Sequence, residues 1–248
     1  MTTFDFAGQT AIVTGGTRGI GAAIAGAFLD AGATVVATYA GNHEAAQAFA
    51  AAHKAQAERL HLRSFDVGDY AAVEDFFHWF DAQLGSLEIL VNNAGIRRDG
   101  VVGMMSCADW EAVLRTNLTG SFAMSKFAVM RMMQNRYGRI IHVTSPSGKF
   151  GFEGQANYAA SKAGQVALMR SLSKEVARRK ITVNCVSPGF IDTEFIAALP
   201  PEQLKAYQDS VPAKRFGKPE EVANGVLFLA SREAAYINGA VLEITGGL

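Results

Sequence analysis

The chain has 248 residues, of which 49% are hydrophobic, and its 23 Lys and Arg residues balance its 23 Asp and Glu residues. This length suits one α/β domain with a large core, and the zero net charge gives no support to a nucleic-acid partner. The two cysteines, Cys107 and Cys185, match no metal-ligand spacing and predict a reducing compartment. The sequence shows neither a signal-peptide pattern nor an apolar run of about 18 residues. We therefore expect a cytoplasmic protein that binds no metal and enters no membrane.

Short β-rich runs alternate with helical stretches along the chain. Runs such as AIVT, ILVN and IIHV are apolar throughout, which is typical of strands covered on both faces. This alternation predicts an α/β fold, a Rossmann-like doubly wound parallel sheet of seven strands with helices on both faces. The predicted strands are Thr10–Thr14, Thr34–Tyr39, Arg59–Phe65, Glu88–Asn92, Gly138–Thr144, Ile181–Val186 and Ala240–Ile244. The predicted helices include Ile20–Ala31, Glu44–Lys54, Ala71–Leu84, Trp110–Asn135 and Tyr158–Arg179.

The domain organisation follows from the absence of any linker, repeat or low-complexity stretch in the sequence. Residues 1–248 are predicted to form one domain, with a cofactor half over about 1–150 and a catalytic and substrate half over about 140–248. The less regular segment 188–217 carries four prolines and follows a strand, at the edge where ligands of parallel sheets bind. A segment of this length is typical of a functional lid.

A glycine-rich turn joins the first strand to the first helix, with glycines at positions 15, 16, 19 and 21. Glycines permit a close approach of the backbone to a pyrophosphate, and the start of the helix offers free N–H groups. The spacing G-x-x-x-G-x-G departs from the common G-x-G-x-x-G pattern, so an ordinary helix start in a glycine-rich protein is the alternative.

The stretch after the second strand indicates which dinucleotide would bind. An NAD site usually has an Asp or Glu there for the ribose 2′-hydroxyl, whereas residues 38–42 contain no acid. Together with Arg18 in the glycine-rich turn, this favours a 2′-phosphate, and therefore NADPH or NADP+. Tyr39 and Asn42 are candidate contacts in this stretch. The alternative for Arg18 is an ordinary solvated charge.

Tyr158 and Lys162 are predicted to act as an acid–base pair. Residues at i and i+4 share one helix face, and of the six tyrosines only Tyr158 has a lysine four positions on. An ammonium near a phenol lowers the phenol pKa from about 10 toward the range of efficient proton transfer. By itself, such a pair is more often a solvated contact on a helix surface.

Two further residues strengthen this hypothesis. Ser145 follows the predicted strand Gly138–Thr144, so its hydroxyl is expected at the carboxyl edge of the sheet, where it can donate to a carbonyl oxygen; Ser147 is the neighbouring alternative. Asn117 falls inside the predicted helix Trp110–Asn135, and an asparagine in that position indicates a local distortion.

These residues, together with Asp66-Val67, Asn92-Asn93-Ala94-Gly95 and Pro188-Gly189, occur in the order found in short-chain dehydrogenases/reductases. The sequence resembles that family over nearly its whole length. Segments 154–164, 181–195, 215–224 and 233–248 look most like bacterial 3-oxoacyl-[acyl-carrier-protein] reductases, and acetoacetyl-CoA reductases are close relatives.

The resemblance implies roles for the site residues. Ser145 would orient the substrate carbonyl, Tyr158 would donate the proton, Lys162 would bind the nicotinamide ribose and lower the Tyr158 pKa, and Asn117 would hold a water in a proton relay. The full set of expected cofactor contacts is Gly15, Thr17, Arg18, Gly19, Ile20, Gly21, Tyr39, Asn42, Asp66, Val67, Asn93, Ala94, Gly95, Tyr158, Lys162, Pro188, Gly189, Ile191 and Thr193.

The resemblance also implies partners. Reductases of this kind dock acidic acyl-carrier proteins on arginines beside the active-site mouth, and Arg136 and Arg179 fall at the matching positions. A solvated basic helix end is the alternative. Relatives are typically tetramers, so we expect a homotetramer.

The leading hypothesis is the NADPH-dependent reduction of a 3-oxoacyl thioester, on an acyl-carrier protein or CoA, to the 3-hydroxyacyl thioester, as in fatty acid biosynthesis. Reduction of another ketone stays open: a polyketide or polyene intermediate, acetoacetyl-CoA, a steroid or a sugar carbonyl. A dinucleotide-binding regulator without turnover is a remote alternative, because a sensor has no need of a proton donor.

Overall fold

The computed structural model of the protein describes residues 4–197 and 200–248. Its strands are β1 (Thr10–Val13), β2 (Thr34–Tyr39), β3 (Leu60–Ser64), β4 (Ile89–Asn92), β5 (Gly138–Val143), β6 (Ile181–Pro188) and β7 (Val241–Ile244). They form one sheet in the order β3-β2-β1-β4-β5-β6-β7, in which every neighbouring pair is parallel. The predicted Rossmann-like, doubly wound sheet is confirmed.

Helices connect the strands and cover both faces of the sheet. They are α1 (Gly19–Asp30), α2 (His43–Ala52), α3 (Tyr70–Gln83), α4 (Cys107–Leu114), α5 (Gly120–Asn135), α6 (Ser147–Phe150), α7 (Ala156–Val176), α8 (Glu194–Ala197), α9 (Pro201–Ser210) and α10 (Pro219–Ala230). Within the described ranges, no helix combines the length and the apolar character needed to cross a membrane.

Two hydrophobic layers on opposite faces of the sheet form the core. Ala11 and Val13 of β1 pack in the layer of α1 and α10, whereas Ile12 packs in the layer of α3, α5 and α7. Successive side chains of a strand point to opposite faces, so a sheet covered on both faces needs strands that are apolar throughout. This explains the continuous apolar runs of the sequence.

The order of the strands changes direction at β1, which has β2 on one side and β4 on the other. Ligands of doubly wound sheets bind in the crevice outside the carboxyl ends of the strands at this point. Here the Thr14 Oγ1 atom accepts hydrogen bonds from the backbone N–H groups of Asn93 and Ala94, each at 3.0 Å. The chain leaving β4 is thereby fixed to the glycine-rich turn that leaves β1.

The long helix predicted over Trp110–Asn135 is divided by a π-helical turn, Arg115–Thr119, between α4 and α5. The Asn117 carbonyl accepts a hydrogen bond from Ser121 Oγ at 2.7 Å and one from Gln165 Nε2 at 2.9 Å. In a regular α-helix this carbonyl would accept a backbone N–H of the next turn. Here the two side chains bind it instead, which favours the wider π-helical turn. The distortion predicted at Asn117 is present.

The segment 188–217 is more regular than its prolines suggested, because it contains α8 and α9. Positions 198 and 199 of the predicted lid lie outside the described residues. Helix α10 was not among the predicted helices. Its start carries two sequence signals, Pro219 in its first turn and the Glu221 carboxylate, which accepts the Lys218 backbone N–H at 2.7 Å.

Candidate active site

Tyr158 lies in the first turn of α7, at the carboxyl edge of the sheet. The buried side chain of Asn157 accepts the Tyr158 backbone N–H at 2.7 Å and donates to the Arg98 carbonyl at 2.8 Å. Ser161 Oγ donates to the Tyr158 carbonyl at 2.7 Å. The start of α7 is therefore tied to the loop after β4, and the Tyr158 side chain stays partly exposed.

Lys162 follows one helical turn later and is buried. Its ammonium lies 5.5 Å from the centroid of the Tyr158 ring and donates a 2.7 Å hydrogen bond to the Val143 carbonyl at the end of β5. Burial lowers the Lys162 pKa to about 8. The i, i+4 spacing therefore places phenol and ammonium together, as predicted.

The Tyr158 pKa differs from the expectation. Burial raises it, while the Arg97 guanidinium and a hydrogen bond with Ser145 lower it and the Asp99 carboxylate raises it. We expected a net lowering by Lys162, but desolvation of the phenolate is the larger effect. Tyr158 is thus kept in its protonated form at neutral pH, the form that a proton donor needs.

Ser145 is the hydroxyl that faces Tyr158. Its Oγ accepts the Ser147 backbone N–H and donates to Ser147 Oγ, each at 3.2 Å, and Ser145 lowers the Tyr158 pKa. The Ser147 hydroxyl is buried and donates instead to Gln155 Oε1 at 3.0 Å. The geometry supports Ser145, rather than Ser147, as the group that contacts a substrate carbonyl.

Asn117 is completely buried behind this group. Its side chain accepts the Ile96 N–H at 2.8 Å and donates to the Ile96 carbonyl at 3.1 Å and to Ser161 Oγ at 3.0 Å. A Cβ added to Gly95 would lie 3.3 Å from Asn117 Oδ1 and 3.7 Å from Lys162 Nζ, so this backbone passes directly over both groups. Asn117 holds the loop after β4 in place; its role in a water relay stays a prediction.

The glycine-rich turn fits a pyrophosphate. Gly15 and Gly19 have φ values of 62° and 52°, the left-handed region that favours glycine, and a Cβ on Gly21 would lie 2.0 Å from the Gly15 carbonyl oxygen. A Cβ on Gly19 would meet only Thr193 Cγ2, at 3.7 Å, so the backbone is open on that side. The first turn of α1 has no acidic residue, which leaves its amino end favourable for an anion.

Near the expected ribose 2′ position, some side chains already make hydrogen bonds within the protein, whereas another is exposed to solvent. Asn42 Oδ1 caps α2 by accepting the Ala45 N–H at 2.9 Å, and the Tyr39 hydroxyl lies 3.3 Å from His43 Nδ1. Arg18 is exposed and its side chain makes no capping bond, whereas the Thr17 side chain is buried. Arg18 is therefore the group best placed to meet a phosphate.

The residues expected around the adenosine serve structural purposes as well. Asp66 Oδ1 accepts the Gly68 N–H at 2.8 Å, and the Val67 side chain is buried in the core. Asn93 Nδ2 donates to the carbonyls of Thr14 and Gly15, at 2.9 and 3.1 Å. These contacts fix the wall of the crevice, so any contact of Val67 with an adenine would have to use its backbone.

The remaining expected contacts lie at the end of β6. Pro188 is the last residue of that strand, and the Gly189 N–H donates to the Ile244 carbonyl at 3.0 Å. Ile191 is buried and pairs with Gly217, while Thr193 faces Gly19 across the crevice. Ile20 is partly buried against the core. The start of the predicted lid therefore borders the glycine-rich turn.

Arg136 and Arg179 lie at the opposite edge of the sheet. Arg136 ends α5 in a left-handed conformation, with φ of 51°, and Arg179 ends a 3-10 turn, each just before a parallel strand begins. Ser145 lies beyond the far end of β5, whose six residues span about 20 Å. Contrary to expectation, the two arginines are not beside the mouth of their own subunit's site; their docking role stays a prediction.

Comparison with known proteins agrees with this geometry. The family model described as "Enoyl-(Acyl carrier protein) reductase" matches residues 15–248. The chain belongs to the short-chain dehydrogenase/reductase family. It is 45% identical over 244 residues to the 3-oxoacyl-[acyl-carrier-protein] reductase FabG of Escherichia coli (strain K12), covering 98% of each chain. It is 43% identical over 246 residues to FabG of Aquifex aeolicus, covering 97% of each chain. It is also 43% identical over 240 residues to the acetoacetyl-CoA reductase of Rhizobium meliloti, covering 96% of this chain and 98% of that one.

Asn157 and Asp99 were missed by the sequence reasoning, and Arg97 was not predicted to contact Tyr158. Asn157 positions the start of α7, and Arg97 and Asp99 face Tyr158 from the loop after β4. Asn157 directly precedes the predicted catalytic tyrosine, which was a usable signal. Arg97 and Asp99 belong to a loop without periodicity, and only the folded structure shows what they face.

Proposed function

We propose that the protein is an NADPH-dependent reductase that converts a 3-oxoacyl thioester, carried by an acyl-carrier protein, to the 3-hydroxyacyl thioester. The observation that carries the proposal is the convergence of Ser145, Tyr158 and Lys162 at the carboxyl edge of the sheet, bordering the open glycine-rich turn. A regulator that only binds a dinucleotide would have no use for this group.

Each residue of the group has a defined task. Ser145 donates a hydrogen bond to the substrate carbonyl oxygen, and Tyr158 gives its proton to the same oxygen. Bound NADPH would supply the hydride that reduces the carbonyl carbon. The Lys162 ammonium, held by its hydrogen bond to the Val143 carbonyl, lies next to the phenolate that Tyr158 becomes after it gives up its proton. The Asn117 side chain holds the loop after β4 in place. Such proton transfer by a positioned side chain typically contributes about 10²–10⁴-fold in rate.

The choice of NADPH is supported by Arg18, exposed at the glycine-rich turn, and by the lack of an acid in residues 38–42. A guanidinium suits a phosphate, and a carboxylate there would repel one. Arg18 and the backbone of the glycine-rich turn are the groups that would hold the phosphates.

The choice of substrate is supported by the names of the relatives and by the surface near the site. The loop after β4 exposes Val102 and Met104, and the loop after β5 exposes Phe150 and Phe152. A hydrogen bond from Gly100 N to the Gly154 carbonyl, at 2.8 Å, joins these two regions. The resulting apolar rim suits an acyl chain better than a sugar.

A substrate panel tests this proposal. NADPH oxidation would be followed at 340 nm with a 3-oxoacyl-[acyl-carrier protein], acetoacetyl-CoA, a polyketide mimic, a steroid ketone and a sugar. We expect the highest kcat/KM with the carrier-bound thioester and a clear preference for NADPH over NADH. A higher kcat/KM with acetoacetyl-CoA, a steroid or a sugar would show that this compound, and not the carrier-bound thioester, is the preferred substrate. Equal use of NADH would refute the cofactor assignment.

The proposal includes a homotetramer in the cytoplasm. Helix α5 exposes Phe122, Met130 and Met133, apolar side chains that an interface between subunits would cover. Cys107 and Cys185 are both unpaired, as in a reducing compartment. Light scattering coupled to size-exclusion chromatography would measure the mass, and a monomer would refute the tetramer.

A further inference from the structure

The loop after β4 carries a guanidinium that faces the proposed proton donor. Arg97 Cζ lies 5.6 Å from the centroid of the Tyr158 ring, within the range in which a cation and an aromatic face attract each other. The same guanidinium forms a two-point ion pair with Asp99, in which Nε lies 3.2 Å from Oδ1. A cation and an anion on one loop are thus presented together to Tyr158.

The backbone on both sides of Arg97 is fixed by buried asparagines. Asn117 makes two hydrogen bonds to Ile96, at 2.8 and 3.1 Å, and Asn157 Nδ2 donates to the Arg98 carbonyl at 2.8 Å. Both asparagines are completely buried. The position of Arg97 relative to Tyr158 is therefore built into the site and is not that of a loose surface side chain.

We propose that Arg97 and Asp99 form an electrostatic pair that sets how readily Tyr158 releases its proton. Arg97 favours the phenolate, and Asp99 opposes it. The pair acts through Tyr158, so both are positioning residues. This inference rests on the proposed function only for the role of Tyr158 as the proton donor.

The other titratable groups near Tyr158 do not have the electrostatic effect on it that we assign to Arg97 and Asp99. Burial lowers the pKa of His142 in β5 to about 3 and raises that of the Cys185 thiol in β6 to about 12, so both are neutral near pH 7. The Lys162 ammonium, on the helix of Tyr158, has a pKa of about 8, so it is mostly charged at pH 7 but has lost its charge at the alkaline pH at which Tyr158 titrates.

The directions of the individual effects agree with this assignment. Burial raises the Tyr158 pKa, Arg97 is the charged group that lowers it most, and Asp99 raises it. The Arg97 and Asp99 side chains are 27% and 44% exposed, so solvent screens the interaction. We therefore expect each charge to shift the Tyr158 pKa by much less than it would in a site from which water is excluded.

The experiment is a pH–rate profile of kcat for NADPH-dependent reduction of ethyl acetoacetate, a neutral ester without phosphates. Reduction uses the protonated phenol, so activity falls as pH rises through the Tyr158 pKa. We expect Arg97→Gln to move this fall to higher pH and to lower kcat at pH 7 about three- to tenfold, because the phenol becomes a weaker acid. Asp99→Asn should move the fall to lower pH, and Arg97→Lys should restore the parental midpoint.

Arg98→Gln is the matched control. The Arg98 side chain is 59% exposed and lies 3.9 Å from Asp109, and its substitution should leave the midpoint unchanged. Equal midpoints in Arg97→Gln, Asp99→Asn and the parent would overturn the proposal. So would a raised KM for acetoacetyl-CoA in Arg97→Gln with an unchanged profile for the ester, since Arg97 would then bind substrate phosphates.

A measurement without substrate separates this inference from the proposed function. Tyrosinate absorbance at 295 nm would be titrated in each variant, and the signal of the same protein with Tyr158→Phe subtracted. The Tyr158 midpoint should be lowest in Asp99→Asn and highest in Arg97→Gln, whatever ketone the enzyme reduces. The reverse order, or no order, would reject the pair even if the substrate panel succeeds.

Discussion

The Lys162 ammonium lies 5.5 Å from the centroid of the Tyr158 ring, while its hydrogen bond goes to a backbone carbonyl of the neighbouring strand. The two residues are one turn apart on α7, so the helix sets their spacing. The Val143 carbonyl, at 2.7 Å from Lys162 Nζ, sets the position of the charge. Because both the helix and the strand belong to the packed core, the pair is held rigidly before any ligand binds.

Replacing Tyr158 by Phe removes the hydroxyl and keeps the ring. We expect kcat to fall by about 10²–10⁴-fold, because the hydroxyl proposed to supply the proton is lost. NADPH affinity, measured by fluorescence titration, should stay nearly unchanged. Tyr236→Phe, at a fully exposed side chain, is the control and should keep full activity. A Tyr158→Phe enzyme with normal turnover would contradict the assignment.

The fold could be predicted from the sequence because its strands are apolar throughout and alternate with helices. Most strand ends lie within one residue of the prediction, but β6 continues to Pro188, where the predicted strand ended at Val186. Proline lacks a backbone donor and is tolerated at a strand end, so it did not stop the pairing with β7. Helix α10 was missed although Pro219 and Glu221 mark its start.

The site was predictable only where local spacing decides it. Tyr158 and Lys162 share a helix face by virtue of their i, i+4 positions, and Ser145 follows a strand, so both lie where expected. The pKa of Tyr158 depends on burial and on Arg97, which approaches from a loop 61 positions earlier in the chain. No pattern in the sequence reports such a contact.

Replacing Arg18 by Gln tests the prediction that Arg18 binds the 2′-phosphate of NADPH. The loss of one charged hydrogen bond to a phosphate costs about 1.5–3 kcal/mol, so KM for NADPH should rise about ten- to a hundredfold, while KM for NADH should hardly change. Steady-state kinetics with both cofactors measure this. Lys174→Gln, at an exposed cation near the end of α7, should leave both KM values as they are. A parallel rise for NADPH and NADH would mean that Arg18 does not read the 2′-phosphate.

Reversing the charge of Arg136 or Arg179 tests carrier docking. Each change to Glu should raise KM for a 3-oxoacyl-[acyl-carrier protein] several-fold, because an acidic partner would be repelled, and should leave ethyl acetoacetate unaffected. The effect should weaken as salt is added. Lys54→Glu makes the same change of charge at an exposed lysine before β3, at the far side of the sheet, and should have little effect. If all three variants respond equally, docking at these two arginines is excluded.

Replacing Lys162 by Met tests the burial of its charge through the pH dependence of stability. Burial lowers the Lys162 pKa to about 8 from its ordinary value of 10.5, so between these pH values the unfolded chain holds a proton that the folded chain has released. The free energy of unfolding therefore rises with pH in this window, by up to about 1.4 kcal/mol per unit and about 3 kcal/mol in total. Lys162→Met lacks this rise, so its stability relative to the parent should fall between pH 7 and pH 10. Urea denaturation would measure the free energy of unfolding of the parent and of Lys162→Met at each pH. The difference between the two removes the contributions of Tyr158 and Cys185, which also titrate at alkaline pH. Lys174→Met, at an exposed lysine, is the control. A difference that is flat over this range would show that Lys162 keeps its usual pKa in the folded protein.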